Sequence, residues 1–543
     1  MKEFFLALVN LLKGNFLSVF CLSLVSLFDS LINLLLPIIS GQFINELITS
    51  ADMQVIVKFC CTIALLNVIS LMFSFVEMRL NLKIQMNVSN AYNLKILKKL
   101  SKIDLLYLEK QDQTYLNQRI NNDVNAMTIF SINLFKDFVV QIITLIVSIY
   151  LLVFINKLIL FILIIVIVVY MFGYHFVKPH LLQSKKLVLE SQSQYFSKLG
   201  DYIKCVNMIK SFNKSNFIIK PILSHFLELK SNFKKNQNYT FIMSGGEKAL
   251  YTLADIGVYI LVGIQLIKKK ITIGIFTVTS SYFDNVIGSI KFFSSLYQEY
   301  LNTYVSYQRI KEIENMKDDN VGKIKINIVD KISVKNFCFS YGDVEVIKNL
   351  NLTFKKGVIN IVVGDNGSGK STFIKCLCGL YGSYIGEIYY NMNDLKELDQ
   401  YNLRENNIGY VEQNPILFRG TVLDNICINK VSSIDKIIEY LINFNLIDVQ
   451  NDAYTFLNKC IDENTVNFSG GEAQKICIIR ELLNKKDVII FDEPTSSLDK
   501  NARDVFLKNI DDLKENHIII IITHDIELVN RLNSSVFCIE RRG

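Results

Sequence analysis

Residues 364–372 read Gly364-Asp365-Asn366-Gly367-Ser368-Gly369-Lys370-Ser371-Thr372, filling every fixed position of the phosphate-cradling spacing G-x-x-x-x-G-K-[ST]. The chemistry needs these residue types. Glycines let successive backbone N–H groups turn inward onto phosphate oxygens, and a following helix adds the positive end of its dipole. Lys370 is placed to reach β- and γ-phosphates, and the Ser371 hydroxyl to hold Mg²⁺. The apolar run 358–363 ahead of the loop predicts a strand, and 373–379 predicts a helix. That context makes the spacing a nucleotide site rather than a chance Gly-rich turn.

Three further groups carry compatible chemistry. The short apolar run 487–491 reads as a fully buried parallel strand and ends in Asp492-Glu493. Carboxylates at the end of such a strand sit where a nucleotide's Mg²⁺ and attacking water belong. Asp492 is the expected metal-side residue and Glu493 the expected general base or water positioner. A second buried strand, 517–522, closes on Thr523-His524-Asp525, which puts His524 within reach of a γ-phosphate. Finally, Phe468-Ser469-Gly470-Gly471-Glu472 precedes a predicted helix at 473–483 and offers a second anion site. One domain has no use for two cradles on one phosphate. The economical arrangement is a dimer in which each Ser469-Gly470-Gly471 faces the other subunit's γ-phosphate.

The elements that must position these groups occupy less than half of the chain. Of 543 residues, 50% are hydrophobic and 20% charged, and the long apolar runs fall in the first 300 or so positions. Six runs are long enough to cross a bilayer: 15–40, 55–76, 138–155, 158–177, 249–267 and 271–293. The short segment 45–54 carries no Lys or Arg, whereas 79–136 and 178–248 carry many, so the chain is expected to start inside with both long loops cytoplasmic. Lys268-Lys269-Lys270 is the exception to that bias. The net charge of +7 follows from these loops, and no interleaved aromatic pattern suggests nucleic-acid binding. No cleavable signal peptide is expected, because the first apolar run begins after Lys13 and far exceeds a signal's core. Eleven cysteines without a C-x-x-C pair read as packed thiols rather than metal ligands or disulfides.

Both long loops have helical periodicity and few breakers, so the helices are expected to leave the membrane by tens of ångströms, at about 1.5 Å per residue. From about residue 317 strands and helices alternate, as in an α/β domain. The domains expected are therefore a six-helix transmembrane domain at 1–310 and a nucleotide-binding domain at 317–543.

Taken together, these residues resemble the ATP-binding cassette (ABC) transporters, specifically exporter-type half-transporters with one six-span domain fused to one nucleotide-binding domain. The resemblance covers nearly the whole chain, with seven motif elements in order. Tyr341 matches the adenine-stacking aromatic, 364–372 the Walker A loop, and Gln413 the Q-loop residue near metal and attacking water. Ser469-Gly470-Gly471 matches the signature, Asp492-Glu493 Walker B, Ser497-Leu498-Asp499 the D-loop, and His524 the switch histidine. The resemblance implies an α-helical membrane domain plus an α/β P-loop domain, with ATP and Mg²⁺ as ligands. It also implies a second half-transporter as partner, a homodimer ahead of a heterodimer, and docking segments near 107–114 and Val206–Phe212. The expected location is a plasma membrane, inner or cytoplasmic in a bacterium, with the nucleotide-binding domain in the cytoplasm.

There are departures from the family pattern. Glu472 stands where the signature ends in Gln, Phe468 replaces Leu, and 462–467 replaces the Gly-rich approach. A carboxylate near bound nucleotide weakens affinity unless it pairs or points away. The same tetrad, Ser244-Gly245-Gly246-Glu247, recurs before the fifth span, where a helix break and cap is expected. Pro37 is expected to kink the first span.

Intramembrane Asp29, Asn33, Asp255, Asp284 and Asn285 could line an anionic cavity for a cationic peptide or drug, or serve structural pairing. No leader-cleaving peptidase domain is expected ahead of the spans, which leaves peptide cargo to be processed elsewhere. Three functions remain open: ATP-driven export of a peptide, lipid or amphipathic molecule, import on the same scaffold, and an ATP-gated regulator or channel.

Overall fold

The computed structural model of the chain describes residues 2–50, 52–109, 113–155, 157–212, 215–319, 321–428, 433–448, 452–461, 468–525, 528–529, 532 and 534–539. Two compact units divide it: Met1–Lys95 with Gln118–Lys311, and Ile96–Asn117 with Glu312–Gly543. Residues 96–117 thus group with the C-terminal part although they fall within the 1–310 stretch.

The first unit is helical. It comprises α1 (Lys2–Leu12) and α2 (Phe16–Ser50), most of α3 (Met53–Leu100), and, beyond the short α4 (Leu105–Leu108), α5 (Gln113–Ile155), α6 (Lys157–Lys204), α7 (Val206–Phe212), α8 (Ser215–Ile267) and α9 (Ile273–Glu314). The 48 residues of α3 span about 72 Å at 1.5 Å each, well beyond a hydrocarbon core of about 30 Å. Among the described residues, five stretches are long and apolar enough to cross a membrane: Lys2–Thr49, Met53–Leu100, Ile120–Ile155, Lys157–Ile203 and Ile219–Ile267. The sixth expected span, 271–293, lies on α9, whose apolar stretch is diluted by Thr277, Thr279, Asp284, Asn285, Ser289 and Lys291.

Large apolar side chains such as Leu71, Phe154 and Phe172 stay exposed along these stretches. Pro37 lies inside α2, which runs on unbroken. The expected break at 244–247 is a correction: these residues sit mid-way along α8, without interruption. Apolar residues on both sides extend the helical pattern, and Ser244 turns its hydroxyl back to the Phe241 carbonyl at 3.4 Å instead of capping a new helix. Asp29 accepts a hydrogen bond from Ser70, while Asp255 is half-buried and Asp284 exposed. A cavity of about 340 Å³ in this unit is walled by apolar side chains with Tyr170, Tyr174 and Tyr297, and these three carboxylates are not in its wall.

The second unit contains two larger sheets. One is antiparallel, in the order β2 (Val344–Lys355), β1 (Lys331–Tyr341), β4 (Ile385–Tyr390), β5 (Asn393–Asp394). The other is parallel, in the order β11 (Ser534–Cys538), β3 (Ile359–Val363), β10 (Ile518–Ile522), β9 (Val488–Asp492), β6 (Ile408–Val411). A small ribbon pairs β7 (Gly420–Thr421) with β8 (Cys460–Ile461).

The five consecutive isoleucines of β10 explain its central place. Ile518, Ile520 and Ile522 join one core layer, while Ile519 and Ile521 join the other. A strand buried on both faces needs this unbroken apolar run. Helices α10 (Lys370–Leu377), α11 (Gln400–Asn406), α12 (Val422–Ile426), α13 (Ile434–Asn443), α14 (Ala453–Leu457), α15 (Gly470–Asn484) and α16 (Lys500–Leu513) complete the unit. Two of them start earlier than the apolar pattern indicated: α10 begins at Lys370 and α15 at Gly470, so both Gly-containing motifs run directly into a first helical turn.

Candidate nucleotide site

The carboxyl ends of β3, β9 and β10 point the same way, and the chemistry collects there, as ligand sites do in open α/β sheets. Residues 364–369 connect β3 to α10. Gly364 is obligatory, since a Cβ there would lie 2.3 Å from the Ile539 carbonyl oxygen. Gly369, with φ +93°, would drive a Cβ to 2.8 Å from the Val346 and Ile347 side chains. Lys370 is buried and donates to the carbonyls of Gly364 at 2.9 Å and Asp365 at 3.0 Å, arching over the loop it closes.

Asp492 ends β9 and is buried. Burial pushes its carboxyl above the ordinary 3.8, opposed by a hydrogen bond with Ser371, while the charge of Glu493 raises it and that of Lys370 lowers it. A serine hydroxyl and a carboxylate in mutual reach form a hard-oxygen donor pair suited to Mg²⁺.

Glu493 adopts φ +51°, a left-handed conformation that a non-glycine residue holds only when its surroundings over-determine it. Those surroundings are specific. Its N–H donates to the Ile522 carbonyl at 2.9 Å, and its carbonyl accepts from Gln474 Nε2 at 3.0 Å and Ser496 Oγ at 3.0 Å. Its carboxylate meets His524 Nδ1 at 2.8 Å, and His524 itself is 64% exposed. The paired strands β9 and β10 thus bring together two residues 31 positions apart.

A cavity of about 380 Å³ unites most of the expected site. Its wall takes Asn366, Gly367, Gly369, Lys370, Ser371 and Thr372 from the loop and first helical turn, with Tyr341, Val346, Gln413, Asp492 and Glu493 around them. Tyr341 is anchored by a 3.1 Å contact of its hydroxyl with Thr372 Oγ1. Ser368 is buried beneath the loop and Asp365 turns it through its carbonyl, which accepts from Ser368 N at 3.1 Å.

Ser469, Gly470 and Gly471 are not in that wall. They open α15 through a capping box: Ser469 Oγ accepts from Glu472 N at 3.2 Å, and the Glu472 carboxylate accepts from Ser469 N at 2.6 Å. The unexpected carboxylate is therefore engaged with the backbone of its own motif. Gly471 faces the Ser497 carbonyl oxygen, 2.6 Å from where its Cβ would stand. Lys475 on the next turn pairs with Asp499, which caps α16 by accepting from Ala502 N at 2.9 Å. Residues 462–467, the altered approach to this motif, lie outside the described residues.

Gln474 and Tyr410 escaped the sequence reading. Gln474 had no distinctive signal, because α15 buries Lys475, Glu481 and Asn484 as well. Tyr410 hydrogen-bonds Asp492 from β6 and had no local signal.

The ABC transporter transmembrane region family matches residues 19–290, and the ABC transporter family matches residues 347–496. The chain belongs to the ABC transporters. It is 30% identical over 350 residues to ABC transporter B family member 1 of Dictyostelium discoideum, covering 62% of this chain and 38% of that one. It is 31% identical over 274 residues to the alpha-hemolysin translocation ATP-binding protein HlyB of Escherichia coli O157:H7, covering 49% and 38%. A third relative, the SPbeta prophage-derived sublancin-168-processing and transport ATP-binding protein SunT of Bacillus subtilis (strain 168), is 23% identical over 461 residues, covering 83% and 64%. The chain spans less than two thirds of the length of each of these relatives. Among solved structures, a bacterial Atm1-family ABC exporter with ATP bound matches with a TM-score of 0.85 at 16% identity, over 98% of this chain and 95% of that one. At that identity the likeness establishes the ABC exporter fold.

Proposed function

We propose that this chain is one half of an ATP-driven membrane transporter that exports a peptide, lipid or amphipathic molecule, working as a homodimer in a bacterial cytoplasmic membrane. The observation that carries the reading is the single cavity shared by the Lys370 loop, Gln413, Asp492 and Glu493. The loop N–H groups and Lys370 bind ATP phosphates, and Tyr341 stacks on the base. Ser371, Gln413 and Asp492 would hold Mg²⁺, which would supply neutralisation of phosphate charge. Glu493 accepts the proton of the attacking water, and His524 orients that carboxylate and reads the γ-phosphate. Ser469, Gly470 and Gly471 complete the partner's site across the dimer.

Hydrolysis and release then bias the membrane helices between inward- and outward-facing states. Support for a polypeptide cargo comes from the names of two relatives, one a hemolysin translocator and one a sublancin processing and transport protein. ATP hydrolysis by the full chain in lipid nanodiscs, across a panel of peptides, lipids and cationic amphiphiles, tests the reading, with Glu493→Gln as control. Hydrolysis no faster than in that control would sink it.

A further inference from the structure

The polar groups around α4 converge on the flank of the nucleotide cavity. Asp104 caps α4 by accepting from Leu106 N at 2.9 Å, and its second oxygen accepts from Gly382 N at 3.4 Å. Leu105 and Leu106 pack on the core layer below. Glu109, the residue after the helix, uses both carboxylate oxygens: one accepts from Lys375 Nζ at 2.7 Å, the other from the Tyr381 hydroxyl.

Each of these two partners leads into the site. Lys375 lies on α10, one helical turn after Ser371 and Thr372. Tyr381 is 1% exposed, stacks on Phe339 at 5.7 Å, and meets Tyr341 edge-on at 6.3 Å and 84°. Tyr341 in turn holds Thr372 at 3.1 Å. Glu109 therefore grips both the helix that carries the phosphate-side hydroxyls and the aromatic pair that ends in the base-stacking ring.

We propose that Glu109 is a positioning residue for nucleotide binding, which fixes Tyr341 through Tyr381 and the first turns of α10 through Lys375. The inference rests on the reading of that cavity as the ATP site. Burial pushes the Glu109 carboxyl up, but the hydrogen bonds from Lys375 and Tyr381 and the charge of Lys375 outweigh it and hold the carboxyl below 4.5. It is thus ionised throughout the physiological range.

The test uses the full chain in nanodiscs with hydrolysis blocked by Glu493→Gln, and Mg-ATP as the probe. Glu109→Gln is expected to weaken Mg-ATP binding about five- to tenfold, the effect falling on KM rather than kcat when Glu493 is restored. Adding Tyr381→Phe to Glu109→Gln is expected to cost little more, because both act through one contact. Glu109→Asp should recover part of the loss. Unchanged Mg-ATP affinity in Glu109→Gln, with a lower melting temperature only, overturns the inference and leaves the ATP site standing. A parent protein that binds no Mg-ATP overturns both.

Discussion

The tetrapeptide Ser-Gly-Gly-Glu occurs twice, at 244–247 and at 469–472, and adopts two unrelated structures. In the second copy the serine caps a helix, the glutamate closes the box, and both glycines lie in the first turn. In the first copy all four residues run through the middle of α8, and the glutamate accepts from the Tyr170 hydroxyl of α6 at 2.7 Å. Local composition is the same, so the neighbours decide. Residues 241–243, Phe-Ile-Met, extend the helix backward through the first copy, while α15 begins anew at the second. A helix N-terminus that offers free N–H groups is made by what precedes a motif as much as by the motif.

The comparison can be broken in several places. The largest effect belongs to the residue that the second copy helps to hold, through Gln474 on α15: Glu493→Gln should reduce hydrolysis at least about 100-fold, measured as phosphate release. Next, the glycines should respond oppositely to one added methyl group. Gly471→Ala meets the Ser497 carbonyl oxygen at 2.6 Å and should lower ATPase about tenfold or more, since it pushes the motif off the D-loop. Gly246→Ala meets nothing within 4 Å, and it should leave ATPase unchanged and raise the thermal midpoint slightly, alanine being about 1 kcal/mol better than glycine inside a helix. Equal losses in the two variants would mean the copies are not structurally distinct.

A smaller difference is expected at the glutamates. Glu472→Ala removes the capping box and should destabilise α15 by about 1 kcal/mol, whereas Glu472→Gln keeps it, visible as separate shifts in denaturation midpoint. The smallest effect concerns pH. The Asp499 carboxyl, held below its ordinary 3.8 by the Ala502 N–H and by Lys475, ties α15 to α16. A depressed folded-state value contributes stability that is present above the unfolded value and lost only as pH falls through the folded one. The stability penalty of Asp499→Asn should therefore be the same at pH 7 and pH 5.5, and a penalty that shrinks between them would contradict this link.

Much of the cassette was legible because its strands are buried on both faces. The short apolar runs at 358–363, 487–491 and 517–522 read as buried strands, and the motif residues follow from their ends. The helix starts were less legible, because glycine and serine hide a first turn that only the capping contacts reveal. The first tetrad was misread for the converse reason: two glycines look like a break, but helix packing overrides a penalty of about 1 kcal/mol each. The left-handed backbone of Glu493 and the grip of Glu109 on Lys375 left no local trace, since each depends on strands or segments far apart in sequence. The cargo is illegible for a related reason. The wall of the 340 Å³ cavity is apolar and carries none of the flagged carboxylates.

The central claim is that the second tetrad completes the nucleotide site of another subunit. ATPase of differently tagged chains, purified as mixed dimers, tests it most directly. If the sites are shared, a dimer with Lys370→Ala and Ser469→Arg together in one chain loses both sites and is inactive. A dimer with Lys370→Ala in one chain and Ser469→Arg in the other keeps one intact site and hydrolyses ATP. The reverse pattern, activity with both changes in one chain and none when they are split, would contradict the account.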